Sequence, residues 1–130
     1  MHIDFEPTTN ELQIRANQSD LFKIINSLAS NKQTLHCPTS ELRALFPFSS
    51  YLESIQIYHD TNQTVKFSVM DNKYLQIQGS LDKLKILGDN INELIKHPQW
   101  QHLHLEYYPD HPYLAKSTLS VVFWIANDTV

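Results

Sequence analysis

Glycine is almost absent from this chain, with two residues in 130. Phosphate-binding loops need glycines so that the backbone can close on the phosphate, and neither GxGxxG nor GxxxxGKS/T occurs. Nucleotide chemistry therefore has no cradle here. Cysteine occurs once, as Cys37, which rules out an intramolecular disulfide and a multi-cysteine metal site. Basic residues are the minority charge, ten Lys and Arg against fourteen Asp and Glu, for a net charge of −4. Nucleic acid, which needs a basic surface, is not an expected partner. No run approaches the roughly 18 apolar residues that cross a bilayer, and no helical pattern has the basic polar face of a membrane-surface helix. The opening MHIDFEPTTNEL lacks the basic and apolar segments of a secretory leader. The expectation is a cytoplasmic protein without membrane contact.

What is present belongs to a folded chain. The hydrophobic fraction is 42% and the aromatic fraction 11%, and this length suits a single domain, 1–130, with one core. An internal echo organises it. LQIRANQSDLFKIINSL starts at Leu12 and LQIQGSLDKLKILGDNI at Leu75, a shift of 63 residues. Leu12, Ile14, Leu21, Ile24 and Leu28 then fall on Leu75, Ile77, Leu84, Leu87 and Ile91. Each segment gives strand alternation followed by apolar positions at helical spacing. Asn17 and Ser80, both suited to cap a helix, coincide as well. The pattern predicts an internal duplication with units of about 1–60 and 64–126.

Strands are expected at Ile3–Phe5, Leu12–Ala16, Ile55–Ile57, Val65–Val69, Leu75–Ile77, His102–Tyr108 and Thr118–Ala126. Helices are expected from about Gln18 to Ser30 and from Leu81 to Lys96, the second stopped by His97-Pro98. The order ββαβ–ββαββ predicts an α+β fold, a mostly antiparallel sheet with two main helices on one face. A long connection, Asn31 to Ser54, stands out as an insertion, with Ser40 placed to cap a short helix through ELRALF. It reads either as a lid over the end of the core or as a partner-contacting loop.

The chemistry-bearing residues crowd near the end, in HLHLEYYPDHPYLAKSTLSVVFWI. Strand alternation puts His102, His104, Glu106 and Tyr108 on one face, with the two imidazoles about 7 Å apart. His-x-His is a spacing used by metal sites, but no HExxH, paired carboxylates or second cluster supports it, so no metal and no cofactor is expected. Nucleophilic catalysis lacks its parts: Cys37 beside His36 is only a sequence neighbour, and no serine sits in a GxSxG elbow. No enzymatic activity is expected. In the last strand Leu119, Val121, Phe123 and Ile125 share a face, yet Val122 and Trp124 put apolar bulk on the other. Such bulk is covered by the protein's own loop 31–54 or marks an interface.

The LQIQG strand, the amphipathic helix, HLHLE, the aromatic and proline stretch and the serine-led apolar strand run from Tyr74 to Ile125. Together they resemble the bacterial polymorphic-toxin immunity proteins, in particular immunity protein family 32. The resemblance implies a small cytosolic α+β protein that neutralises one cognate toxin by binding it, with no catalysis and no cofactor. The expected partner-binding residues are His102, His104, Glu106, Tyr108, Asp110, His111, Tyr113 and Trp124, on a monomer or weak homodimer. The residues alone leave two rivals. One is a small metal-binding or metal-dependent enzyme domain using His102, His104 and His111. The other is a homodimerising module joined through the Val122/Trp124 face.

Overall fold

The computed structural model describes residues 1–30, 33–61 and 63–126. In chain order the elements are β1 (His2–Glu6), β2 (Glu11–Ala16), α1 (Gln18–Leu28), β3 (Gln33–His36), β4 (Ser50–Leu52), β5 (Ser54–His59), β6 (Lys66–Met70), β7 (Tyr74–Gly79), α2 (Leu81–Lys96), β8 (His102–Leu105) and β9 (Val121–Ile125). Single 3-10 turns occur at Thr39–Glu41 and Pro98–Trp100. The fold is α+β, and among the described residues five of the seven strand pairings are antiparallel.

Local chemistry sets the element boundaries. The Asn17 side-chain oxygen accepts the Asp20 N–H at 2.8 Å and the Ser80 hydroxyl accepts the Lys83 N–H at 3.3 Å, so both helices start where their caps stand. The β6–β7 turn places Asp71 and Asn72 at φ 55° and 52°, a left-handed conformation that these short polar side chains tolerate. Inward-facing positions at helical spacing, Leu84, Leu87, Ile91 and Leu94, are all fully buried.

The strands form two sheets rather than one, in the orders β4-β1-β2-β9-β8 and β3-β5-β7-β6. The β1–β2 hairpin lies in the five-stranded sheet, but the chain then passes through α1 into the four-stranded sheet as β3 and β5. The β6–β7 hairpin lies in the four-stranded sheet, and α2 carries the chain back as β8 and β9. Each half thus lends two strands to the other's sheet. The registers match: Leu12 and Ile14 pair in parallel with Val121 and Phe123, as Leu75 and Ile77 pair with Ile55 and Ile57. Phe67 and Phe123 meet edge to face between the sheets, ring centroids 6.3 Å apart. The helices pack on each other where Gly88 faces Ile25 and Leu28. Gly88 lies 63 residues beyond Ile25, so the helices meet at corresponding positions.

Several boundaries differ from the sequence expectation. The strand expected over His102–Tyr108 ends at Leu105, ahead of Pro109, and the last strand covers Val121–Ile125 rather than Thr118–Ala126. The helix α1 stops at Leu28 instead of Ser30. The 31–54 connection contains β3 and β4, and ELRALF forms no helix beyond the 3-10 turn; Asn31 and Lys32 lie outside the described residues. With β3 recognised as the counterpart of β8, the 37–53 stretch corresponds to 106–120 and is not an insertion. The ELRALF backbone is held from outside through the Leu45 N–H, which goes to the Asp4 carboxylate, and locally the Ser40 carbonyl accepts from Arg43 Nη1.

Candidate functional site

The β8–β9 pairing places His102 opposite Trp124 and His104 opposite Val122. These four side chains share the outer face of the five-stranded sheet, because alternate residues point to opposite sides of a strand. The His102 and Trp124 rings lie 4.8 Å apart, tilted by 38°. On the other side of Trp124 stands β2, with Arg15 directly across from it. Its guanidinium carbon sits 5.5 Å from the indole centroid, within reach of a cation–π contact. Trp124 is thus half-buried between an imidazole and a guanidinium. A recess of about 300 Å³ opens here, lined by Glu11, Gln13, Phe48, His102, His104, Ser120, Val122 and Trp124.

The neighbouring part of the same face is roofed by residues 39–49. Asp4, fully buried on β1, accepts the Leu45 N–H at 3.0 Å and the Gln13 side-chain amide at 3.3 Å. Burial pushes its carboxyl pKa up from the ordinary value, the two hydrogen bonds opposing the shift. Two residues on, Glu6 accepts the Thr8 hydroxyl at 2.7 Å and the Ser49 N–H at 3.1 Å, which pulls its pKa down to about 2. The loop therefore covers the outer side of β1, not the end of the core. It reaches the recess through Phe48 and leaves Trp124 partly open.

The structure gathers His102, His104 and Trp124 and separates the other expected residues from them. Glu106, Tyr108 and Asp110 lie beyond the end of β8, all exposed. Asp110 turns the chain with φ 65°. His111 Nδ1 accepts the N–H groups of Tyr113 at 3.2 Å and Leu114 at 2.9 Å. Its ring centroid is 4.6 Å from that of Tyr108 and 4.8 Å from that of Tyr113, and burial lowers its pKa. Tyr113 is internal, 1% exposed, its hydroxyl accepting from the Asn90 amide on α2. Sequence reasoning missed Arg15, Gln13 and Phe48. Parallel pairing of β2 with β9, across more than a hundred residues, leaves no local signature.

Among the described residues no three His, Cys, Asp or Glu side chains stand close enough to hold a metal ion. His102, His104 and His111 do not come together as a ligand set. Cys37 is buried, its thiol pKa raised to about 11 by desolvation, with Sγ 3.8 Å from the Leu52 carbonyl. Such a thiol stays protonated at neutral pH and is a poor nucleophile. Among the same residues no helix is long and apolar enough to cross a membrane.

No curated protein and no solved structure matches the chain. A protein-family model does match residues 74–125, a span that contains β7, α2, β8 and β9 and with them His102, His104 and Trp124. Over that span the chain is similar to Immunity protein 32.

Proposed function

We propose that this protein is an immunity protein, which binds a cognate toxin domain and neutralises it as a stoichiometric inhibitor without catalysis. The observation that carries this reading is the match to Immunity protein 32 over the very strands that present His102, His104 and Trp124. The contact surface in this reading is the outer face of the five-stranded sheet. A tryptophan flanked by an arginine, in a recess rimmed by polar groups, has the composition of an interface hot spot. Glu106, Tyr108, Asp110 and His111, on the turn after β8, add contacts beside that centre, while buried Tyr113 holds the turn in place. The acidic excess speeds association with a basic toxin more than it deepens affinity. Since each sheet takes strands from both halves, the chain acts as one domain, in the cytoplasm where the toxin must be silenced.

The test is co-expression with the toxin domain encoded next to this chain. Rescue of growth, with a 1:1 complex on size-exclusion chromatography, is the expected outcome. A neighbouring toxin that stays lethal and unbound in the presence of this protein overturns the proposal.

A further inference from the structure

The turn from Tyr108 to Leu114 is closed by an unusual arrangement. A single ring nitrogen, His111 Nδ1, accepts two consecutive backbone N–H groups, those of Tyr113 and Leu114. Only an unprotonated nitrogen can accept, so this arrangement requires the neutral imidazole with its proton on Nε2. What the two donors hold matters. Tyr113 fills the core and bonds Asn90 on α2. Leu114 bridges to Val65: the Val65 N–H donates to the Tyr113 carbonyl and the Ala115 N–H to the Val65 carbonyl, both at 2.8 Å. The latched turn therefore ties the 106–120 connection to α2 and to the edge of the four-stranded sheet.

We propose that His111 is an acid-sensitive latch, whose protonation releases the 108–114 turn from α2 and from Val65. A proton on Nδ1 turns the shared acceptor into a donor facing two other donors, so both hydrogen bonds are lost together. Among the described residues no carboxylate forms an ion pair with the ring. Tyr108 and Tyr113 pack against the ring from the turn itself. From α2 the Lys83 ammonium binds the Pro112 carbonyl at 3.0 Å. Asp110, next to His111 in the chain, is exposed to solvent on the turn, as is Glu106 further back. The lowered pKa, caused by burial, agrees in direction. Sharpened acid sensitivity of toxin binding follows only if the reading under Proposed function holds; the latch itself is a property of the free protein.

The experiment uses the free full-length chain. Hydrogen exchange of the Tyr113 and Leu114 amides, corrected for intrinsic rates, is measured at pH 7.5 and 5.0. A latch that excludes the proton weakens by up to about thirtyfold at pH 5.0, relative to an ordinary imidazole value of 6.5. The expected result is a tenfold or larger loss of protection at these two amides, with the His111 ring titrating below 6.5 by NMR. His111→Asn keeps a neutral acceptor at the Nδ1 position, so its protection should stay high and flat with pH. Loss of protection under twofold in the native chain, an equal loss in His111→Asn, or titration at or above 6.5 overturns the proposal. A toxin complex indifferent to pH, with the amide result intact, overturns only the link to inhibition.

Discussion

The outer faces of the two sheets occupy corresponding positions and have taken opposite characters. On the five-stranded sheet, Gln13 and Arg15 of β2 lie beside Val122 and Trp124 of β9. On the four-stranded sheet the same places are held by Gln76 and Gln78 of β7 and by Gln56 and Tyr58 of β5. The first face has a recess, a tryptophan between two cationic or aromatic neighbours, and a loop anchored over its margin. The second satisfies itself: the Gln76 amide donates to Gln78 at 2.9 Å and the Tyr58 hydroxyl to Gln56 at 3.2 Å. Beneath both, the inner positions are interchangeable aliphatics, Leu12 with Leu75 and Ile14 with Ile77, all nearly inaccessible. Packing constrains the inner faces alike, because every missing methylene there is felt. The outer faces carry no such constraint, and that is where the two sheets differ.

The largest effects should come from breaking the equality of the inner faces. Ile14→Ala and Ile77→Ala each remove a fully buried side chain and should each cost about 2–5 kcal/mol. Urea unfolding of the two variants checks this. A variant that costs under about 1 kcal/mol beside a partner in the expected range would show that one half is loosely packed and the correspondence superficial.

The outer faces should then separate the halves. Trp124→Ala is expected to weaken toxin affinity by about 2 kcal/mol or more, as hot-spot truncations do. Its stability cost should be smaller, about 1–2 kcal/mol for a half-buried aromatic. Tyr58→Ala, at the corresponding place on the other sheet, should leave affinity unchanged. Calorimetry and thermal melts on both variants decide it. A Trp124→Ala protein destabilised by about 3–5 kcal/mol, whose folded fraction binds normally, would make Trp124 a packing residue and level the two faces.

A smaller effect lies at the helix crossing, where Ile25 faces Gly88. A Cβ on Gly88 would lie 3.6 Å from Ile25 Cγ2 and 3.8 Å from Leu28 Cδ1, ordinary contact distances. Glycine inside a helix is about 1 kcal/mol less favourable than alanine, so Gly88→Ala should stabilise by about 0.5–1 kcal/mol, read as a higher urea midpoint. Gly88→Ile, which copies its counterpart, should instead lose about 1–3 kcal/mol through overpacking. Gain from both substitutions would mean that the helices stand further apart than these distances say.

How much of this was legible beforehand follows the range of each interaction. The caps Asn17 and Ser80, the helical stripes and the strand alternation act within a few residues, and the sequence displays them. The alternation within β8 and β9 was readable too, and with it that His102 shares a face with His104 and Trp124 with Val122. The strand β3 was not, since QTLH offers four residues and a single clear apolar position, Leu35. Missing it made 31–54 look like an insertion and hid the trade of strands between two sheets. Arg15 escaped for another reason: its place beside Trp124 depends on the parallel β2–β9 pairing, fixed by the whole fold. Tyr113 looked like surface because it sits among polar residues, yet the turn after Asp110 sends it inward.

The smallest predicted effect is a tilt of stability with pH, confined to the face that carries the loop. Asp4 and Glu6 point from the same strand to the same loop, and their environments shift them in opposite directions. Asp4 has a folded pKa raised above its ordinary 3.8, so the folded state holds that proton more tightly. Its contribution is fully present below 3.8 and is lost as pH rises through the folded value. Glu6 has a folded pKa of about 2 against an ordinary 4.5. Its contribution is present above 4.5 and is lost as pH falls through about 2. Asp4→Asn keeps an acceptor for the Leu45 N–H while removing the buried charge. It should raise the melting temperature at pH 7 relative to the native chain and change it little at pH 3. Glu6→Gln weakens the charge-assisted bonds from Thr8 and Ser49 and should lower the melting temperature at pH 7, the difference closing towards pH 2. On the outer face of the other sheet Gln76 stands between Gln56 and Ser68 and bonds Gln78, none of them titratable, so Gln76→Ala should shift stability by the same amount at every pH in this range. Parallel pH profiles for Asp4→Asn and Glu6→Gln would show that the loop does not distinguish the buried acid from the exposed one, and with that the face it covers would lose its electrostatic asymmetry.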